Sequence, residues 1–323
     1  SISTVSRALR NAPDVNPETK KAVLQLAAEL NYEPNRVAQS LRIKKTNTIG
    51  VVVPEIAMHF FSSVISGIQE YAGSQGYSIM ICQSMETVET EISNIHMLVA
   101  NRVDGLLISL SSQTNSVEHL EQLLAKKIPI VLFDRVAPSL PVSKVVVDDH
   151  AGSYKAVEYL IQTGCRRIAY IGGPKNLYIS EQRGAGYAAA LQAHALPVRE
   201  EYITYCTDTQ PELYQQAVNQ LLSLPNRPDA IFCMHDPIAI TVLQQLKAKG
   251  IQIPHEISIV GFTNEPVSQF IEPSLTTVAQ PATLIGQTAA RLFIKQLEDK
   301  DNVEPTTQVI STELIIRNST RSI

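Results

Sequence analysis

The sequence lacks any apolar run long enough to form a membrane helix. Its longest runs, IGVVVP at 49–54 and VDGLLISL at 103–110, fall far short of the roughly 20 residues that a span requires. The first 30 residues have no apolar stretch of the kind a secretory signal carries. Charges and helix-capping residues stand there instead, so a cytoplasmic location is expected. Cysteine is scarce: Cys82, Cys165, Cys206 and Cys233 are widely scattered with no CxxC pair. They read as small, reduced core residues. Catalytic signatures are missing as well. No GxGxxG follows the first strand-like run, and IGGP at 171–174 is too short for a phosphate loop. HExxH, GxSxG and clustered carboxylates do not occur. The seven histidines (His59, His96, His119, His150, His194, His235, His255) show no metal-ligand spacing. No catalytic residue, metal or cofactor is therefore expected, and an enzyme is disfavoured.

What is present is the composition of a globular protein: 323 residues, 44% hydrophobic and 18% charged, enough for a large core and more than one domain. Charge is unevenly placed. Residues 1–46 carry eight Lys or Arg (Arg7, Arg10, Lys20, Lys21, Arg36, Arg42, Lys44, Lys45) against four acids (Asp14, Glu18, Glu29, Glu33). The remaining 19 basic and 27 acidic residues leave the rest of the chain at −8. A small basic head on an acidic body suggests that only the head meets a polyanion.

The opening stretch SISTVSRALRN crowds hydroxyls into the first turn of a helix that carries Arg7 and Arg10. Taken alone it fits either a serine-capped surface helix or a helix that touches DNA. VNPETKKAVLQLAAELNY at 15–32 is a second helix, with Asn16 as cap, Pro17 in its first position and Val23, Leu26, Ala27 and Leu30 on one apolar face. Pro34 can open a further short helix, marginal in isolation. From residue 48 the pattern alternates: strand TIGVVVP, helix FFSSVISGIQEYAGSQG, strand YSIMICQSM, and so on to IPIVLFD at 128–134. It starts afresh after KVVVDD at 144–149. Continuous Val/Ile/Leu strands alternating with helices predict α/β architecture, with two doubly wound parallel-sheet lobes covered on both faces. Ligands in such folds lie beyond the carboxyl ends of the strands.

Several pieces occur in a specific order: STVSRALRN, VNPETKKAVLQLAAELNYEPNRVAQSLR, TIGVVVP, RVDGLLI, VVVDDHAGSYKAVEYLIQTGCRRIAYIGGP and ISIVGFTN followed by PSLTTVAQP. Over essentially its whole length the chain resembles the lactose-repressor (LacI/GalR) family of bacterial transcription regulators. The resemblance implies a partial helix-turn-helix head and hinge helix at 1–46. It also implies two lobes like those of periplasmic binding proteins, an N-terminal one at 47–148 plus 281–311 and a C-terminal one at 149–280 plus 312–323. Ser1–Arg10 then matches the recognition helix, with Ile2, Ser3 and Arg7 at base-reading positions. Arg can bind guanine bidentately, while Thr4 and Ser6 suit phosphates or a cap. NRVAQSLR matches the hinge helix, with Leu41 at the position of a minor-groove wedge and Asn35, Ala38 and Arg42 beside it. Leu41 and Val37 alternatively cover a neighbouring domain. The family places another helix before the recognition helix. On that pattern the chain starts inside the motif and is expected to bind DNA poorly without that scaffold.

For the lobes, the resemblance implies a small-molecule effector in the cleft. Phe60 and Phe61 (in MHFFSSV) match a cleft wall. Asp134, Arg183 (in SEQRGAGY), His235 and Asp236 (ending AIFCMHD), Thr263 and Gln280 complete the candidate effector residues. Other roles stay open: core for Phe60 or Phe61, a loop cap for Asp134, a helix cap for Asp236, a solvated salt bridge for Arg183. Thr263 stands where sugar-responding relatives carry Asp, and His235 where many carry Asn. The site thus loses an anion and gains a titratable group. A sugar or sugar derivative remains the expected effector, with room for an acidic or phosphorylated sugar or another anion. Leu177 and Ile179 argue against a purine. An exported binding protein shares the lobes but has no use for the basic head. The implied protein is a regulator, a repressor by resemblance, with a double-stranded operator as partner and no membrane partner. Paired heads on a twofold operator imply a homodimer, and no heptad tail follows LIIRNST at 314–320.

Overall fold

The computed structural model describes residues 1–9, 11–30, 32, 45–206, 211–298 and 304–322. The chain divides into two compact units, residues 1–46 and 47–323. In the first, α1 (Ile2–Leu9) and α2 (Pro17–Glu29) pack together. Ser1 begins α1 by accepting the Thr4 amide on its hydroxyl at 3.3 Å, and Asn16 begins α2 by accepting the Glu18 amide at 2.9 Å. Ala8 is fully buried. The apolar face expected on α2 is only half realised. Val23 and Ala27 are half-buried, while Leu26 and Leu30 are exposed, because an eight-residue helix is too short to cover the whole stripe.

The second unit contains two six-stranded sheets with the same order. The first reads β2 (Ser78–Gln83), β1 (Thr48–Val53), β3 (Gly105–Ile108), β4 (Ile130–Phe133), β5 (Ser143–Val147), β11 (Thr307–Ile310). The second reads β7 (Ile203–Tyr205), β6 (Ile168–Gly172), β8 (Ala230–Cys233), β9 (Ser258–Thr263), β10 (Thr276–Ala279), β12 (Glu313–Ile315). Pairing is parallel except between β10 and β12. The inner strands β3, β4, β6 and β8 are buried along their whole length, which is why their sequences are apolar without alternation. The chain passes between the sheets three times: after β5, after β10 and after β11.

Helices cover both faces. In the first lobe they are α3 (His59–Ser74), α4 (Val88–Ala100), α5 (Glu118–Ala125) and α10 (Ala282–Glu298). In the second they are α6 (Asp149–Gln162), α7 (Tyr178–Ala193), α8 (Pro211–Ser223) and α9 (Asp236–Ala248). Glycine sets the closest approaches. A Cβ on Gly67 of α3 would overlap the Thr283 carbonyl of α10, and one on Gly286 of α10 would overlap the Val64 carbonyl of α3. Gly186 of α7 meets the His150 carbonyl of α6 in the same manner. All four cysteines are free and buried. Among the described residues no helix is long and apolar enough to cross a membrane.

Candidate functional site

The loops beyond the carboxyl ends of β2, β3 and β4 in one lobe, and of β6, β7 and β8 in the other, border a cavity of about 810 Å³. That is the size of a small-molecule site. On the first lobe Met85 and Glu86 turn sharply, at φ 52° and 61°, and Glu86 is brought to Arg135. Arg135 Nη1 donates to both Glu86 oxygens at 2.8 and 2.6 Å, and the Ser112 amide donates to Oε2 at 2.8 Å. Burial pushes the Glu86 carboxyl up, but the charge and hydrogen bond of Arg135 together with Ser112 outweigh it. They hold the group below the usual carboxylate range.

The second lobe supplies Lys175, Asn176, Tyr205, Met234 and His235. Lys175 Nζ lies 4.4 Å from the Tyr205 ring centroid. Asn176 Nδ2 donates across to the Ser112 carbonyl at 2.8 Å, which ties the two lobes at the rim. His235 caps α9: its Nδ1 accepts the Ile238 amide at 3.3 Å. Burial, then the charges of Arg183 and Arg135, depress its pKa to about 3. The ring is therefore neutral near pH 7, and with Nδ1 accepting, the proton sits on Nε2.

Behind the lining lies a buried polar layer. Arg183 is 2% exposed. Its Nε donates to Asp149 Oδ1 at 2.7 Å, Nη1 donates to the Met234 carbonyl at 2.7 Å, and the guanidinium sits 3.8 Å from the Phe262 ring centroid. Burial raises the Asp149 carboxyl while Arg183 pulls it back. Asp134 adopts φ 57° just past β4. Burial lifts its pKa to about 6 against the charges of Arg135 and Arg183.

Of the candidate effector residues, His235 alone borders the cavity. Phe60 and Phe61 belong to the core of the first lobe, in edge contact at 5.2 Å, because the first turn of α3 packs onto the sheet. Arg183 is neither a solvated surface residue nor part of the lining; it is the counter-ion of the layer beneath. Asp236 is fully buried and saturated: Thr277 Oγ1 donates to Oδ1 at 2.5 Å, and the Glu265 amide and Ser268 Oγ donate to Oδ2 at 2.8 and 2.7 Å. It pins the loops after β8 and β9 to β10, and the capping role falls to His235. Thr263 turns its hydroxyl back to the Phe262 carbonyl, at φ 114°. Gln280 is 8% exposed on the crossover after β10, and its Nε2 has no hydrogen-bond partner.

Glu86, Arg135, Lys175 and Tyr205 were not singled out by sequence reading. Each lies within three residues of a strand's carboxyl end, so that rule, applied to every loop, finds them. In the head, Ser3 and Arg7 share one face of α1 at i and i+4, and both are exposed. Arg7 pairs with Asp14, which follows α1. Ile2 opens the same helix and Thr4 is half-buried. Asn35, Ala38, Leu41 and Arg42 lie outside the described residues.

Residues 157–320 match the periplasmic binding protein-like domain, and residues 1–35 match bacterial regulatory proteins of the lacI family. The HTH-type transcriptional repressor CytR of Escherichia coli (strain K12) is 35% identical over 326 residues, covering 100% of this chain and 94% of that protein. The chain belongs to the LacI family. In three dimensions it is similar to the lac repressor dimer bound to operator and the anti-inducer ONPF, with a TM-score of 0.87 and 28% identity over 100% of this chain and 96% of that one. The transcriptional regulator CelR–cellobiose complex matches with a TM-score of 0.77 and 29% identity, over 99% of this chain and 96% of that one. The two lobes of this LacI-family chain are thus periplasmic-binding-protein-like, as the family resemblance implied, and doubly wound around parallel sheets, as the strand–helix alternation predicted.

Proposed function

We propose that this chain is a sequence-specific DNA-binding transcriptional regulator, acting as a repressor. Its operator affinity is set by a sugar or sugar derivative held between the lobes. The observation that carries the reading is the cavity of about 810 Å³ at the facing carboxyl ends of two sheets, in a chain whose residues 1–35 match the lacI-family head. The relatives are a transcriptional repressor and an operator-bound repressor dimer, which supports a cytoplasmic homodimer without catalytic activity of its own. In the head, Ile2, Ser3 and Arg7 address bases and Thr4 a phosphate, while Asn35, Ala38, Leu41 and Arg42 serve the hinge. In the body, His235 faces the effector directly. Arg183, Asp134, Asp149 and Asp236 shape the floor from beneath.

Selection from a random-sequence DNA pool by a protein that carries the whole helix-turn-helix tests the reading. The enriched site should be near-palindromic, and its affinity should fall with salt. If each head neutralises about four phosphates, Z is about 8 and the log–log slope about −7. Enrichment of no sequence, or equal affinity for selected and random DNA, refutes it. Effector should then change operator affinity by about 5- to 150-fold, the span of common coupling energies.

A further inference from the structure

The lining of the cavity is rich in donors and poor in free acceptors. Among the described residues two cations border it, Arg135 and Lys175, against the single carboxylate of Glu86. That carboxylate is already engaged by Arg135 and the Ser112 amide. Arg135 spends Nη1 on Glu86, and its buried Nε has no hydrogen-bond partner. Lys175 rests on the Tyr205 ring and makes no ion pair among the described residues. His235 has its acceptor nitrogen occupied, so it can only donate into the cavity. Helix ends add to this field. Leu177 and His235, the residues that begin α7 and α9, both border the cavity, and no side chain caps α7. An uncapped helix start offers free amides and a partial positive charge. The opposing charges lie behind the lining: Asp149 is neutralised by Arg183, Asp236 is saturated, and Asp134 is left without a paired cation of its own.

Resting on the effector-site reading above, we propose that the occupant is a sugar-sized molecule bearing an oxyanion, either a carboxylate or a phosphate monoester, seated between Arg135 and Lys175 at the open start of α7. The planar Arg135 guanidinium, whose side chain keeps 13% of its surface exposed, and the mobile ammonium of Lys175 reach two sides of such a group, and His235 Nε2 donates to an adjacent oxygen.

Calorimetric titration of the full chain tests this with four probes: inorganic phosphate, D-gluconate, D-glucose 6-phosphate and neutral D-glucose. Phosphate should bind saturably. At least one charged sugar should bind tenfold or more tighter than D-glucose, and whether it is gluconate or the phosphate ester distinguishes carboxylate from phosphate. Lys175→Ala should lower oxyanion affinity at least tenfold, with Lys175→Arg restoring most of it. Arg135→Ala should do the same, but it also breaks the Glu86 pair, so the lysine variants decide if that protein misfolds. Three results overturn the proposal: D-glucose binding as tightly as both charged sugars, no binding of any oxyanion, or phosphate binding undiminished in Lys175→Ala. Operator selection is read separately. A chain that selects an operator but binds no oxyanion refutes this proposal alone, and one that binds oxyanions but selects no operator refutes the regulator reading alone.

Discussion

Replacing Arg183 with alanine should destabilise the body strongly, and the defect should depend on pH in a defined direction. Arg183 and Asp149 are 2% and 3% exposed, and their contact is 2.7 Å. Removing one member of a buried pair commonly costs about 3–5 kcal/mol, because the other charge is left uncompensated. Here Asp149 Oδ2 already lacks a hydrogen-bond partner, so truncation orphans the whole carboxylate. The Met234 carbonyl and the Phe262 ring lose their contacts as well. At roughly 2–4 °C per kcal/mol for a domain of this size, the melting temperature should drop by about 6–20 °C.

The sign with pH follows from linkage. Burial raises the folded pKa of Asp149, and raises that of Asp134 to about 6, while Arg183 lowers both. A carboxyl whose folded pKa exceeds its unfolded value of about 3.9 loses stability as pH rises between the two values. Without Arg183 both folded values climb further, and the interval widens upward. The deficit should therefore be largest near pH 8 and shrink towards pH 4, as the buried carboxyls left without Arg183 take up protons. Thermal unfolding followed by circular dichroism at pH 8 and pH 5 measures it. A melting temperature within about 2 °C of the parent at pH 8, less than 1 kcal/mol, refutes the buried counter-ion role. So does a deficit that grows on acidification. Asp149→Asn in the same background should recover part of the loss, since the orphaned charge is then gone.

Three further outcomes are expected. Gly67→Ala should cost about 1–3 kcal/mol by overpacking, because its Cβ meets the Thr283 backbone, which cannot yield as a side-chain end would; an unchanged denaturation midpoint would contradict the α3–α10 approach. Arg7→Ala should weaken operator binding by about 1–3 kcal/mol and relax selectivity at one base pair per half-site; a uniform loss on all sequences would make Arg7 a phosphate contact instead. Leu41→Ala should lower affinity for operator more than for random DNA, as loss of a kinking wedge requires, and equal losses in competition binding would rule the wedge out.

The lobes were legible because burial on both faces of a parallel sheet writes itself into sequence. IVLF at 130–133 and AIFC at 230–233 have no polar alternation, and all eight residues are buried. The location of the site was legible for a related reason, since strand ends can be read from where those runs stop. Partner choice was not. His235 and Asp236 are neighbours in sequence, yet one borders the cavity and the other lies beneath it, because the turn into α9 sends successive side chains to opposite sides. Arg183 reads as a ligand-gripping or solvated cation, since a helix start in sequence does not reveal the carboxylate of Asp149 at its side. Glu86 and Arg135 are 49 positions apart and meet only through a turn with two positive φ values. The half-exposed stripe of α2 errs the other way: helical spacing records a face that is able to be buried, not the length of the element that covers it.

The polar layer under the cavity also bears on how an occupant could reach the rest of the body. Asp149 opens α6, immediately after the first of the three passages between the lobes. Arg183 joins it to the Met234 carbonyl, and Met234 is itself a cavity residue beside His235. One guanidinium thus bridges a passage between lobes and the wall an effector touches. On the other side of the same cavity, Asn176 donates to the Ser112 carbonyl across the rim, and the Ser112 amide in turn donates into the Glu86–Arg135 pair. An occupant that pulls on Arg135 therefore acts on the residue that ties the lobes together. Coupling between sites requires such differential contact in two lobe arrangements, and among these bonds the one from Asn176 to Ser112 joins the two lobes, so a change of lobe angle must lengthen or break it.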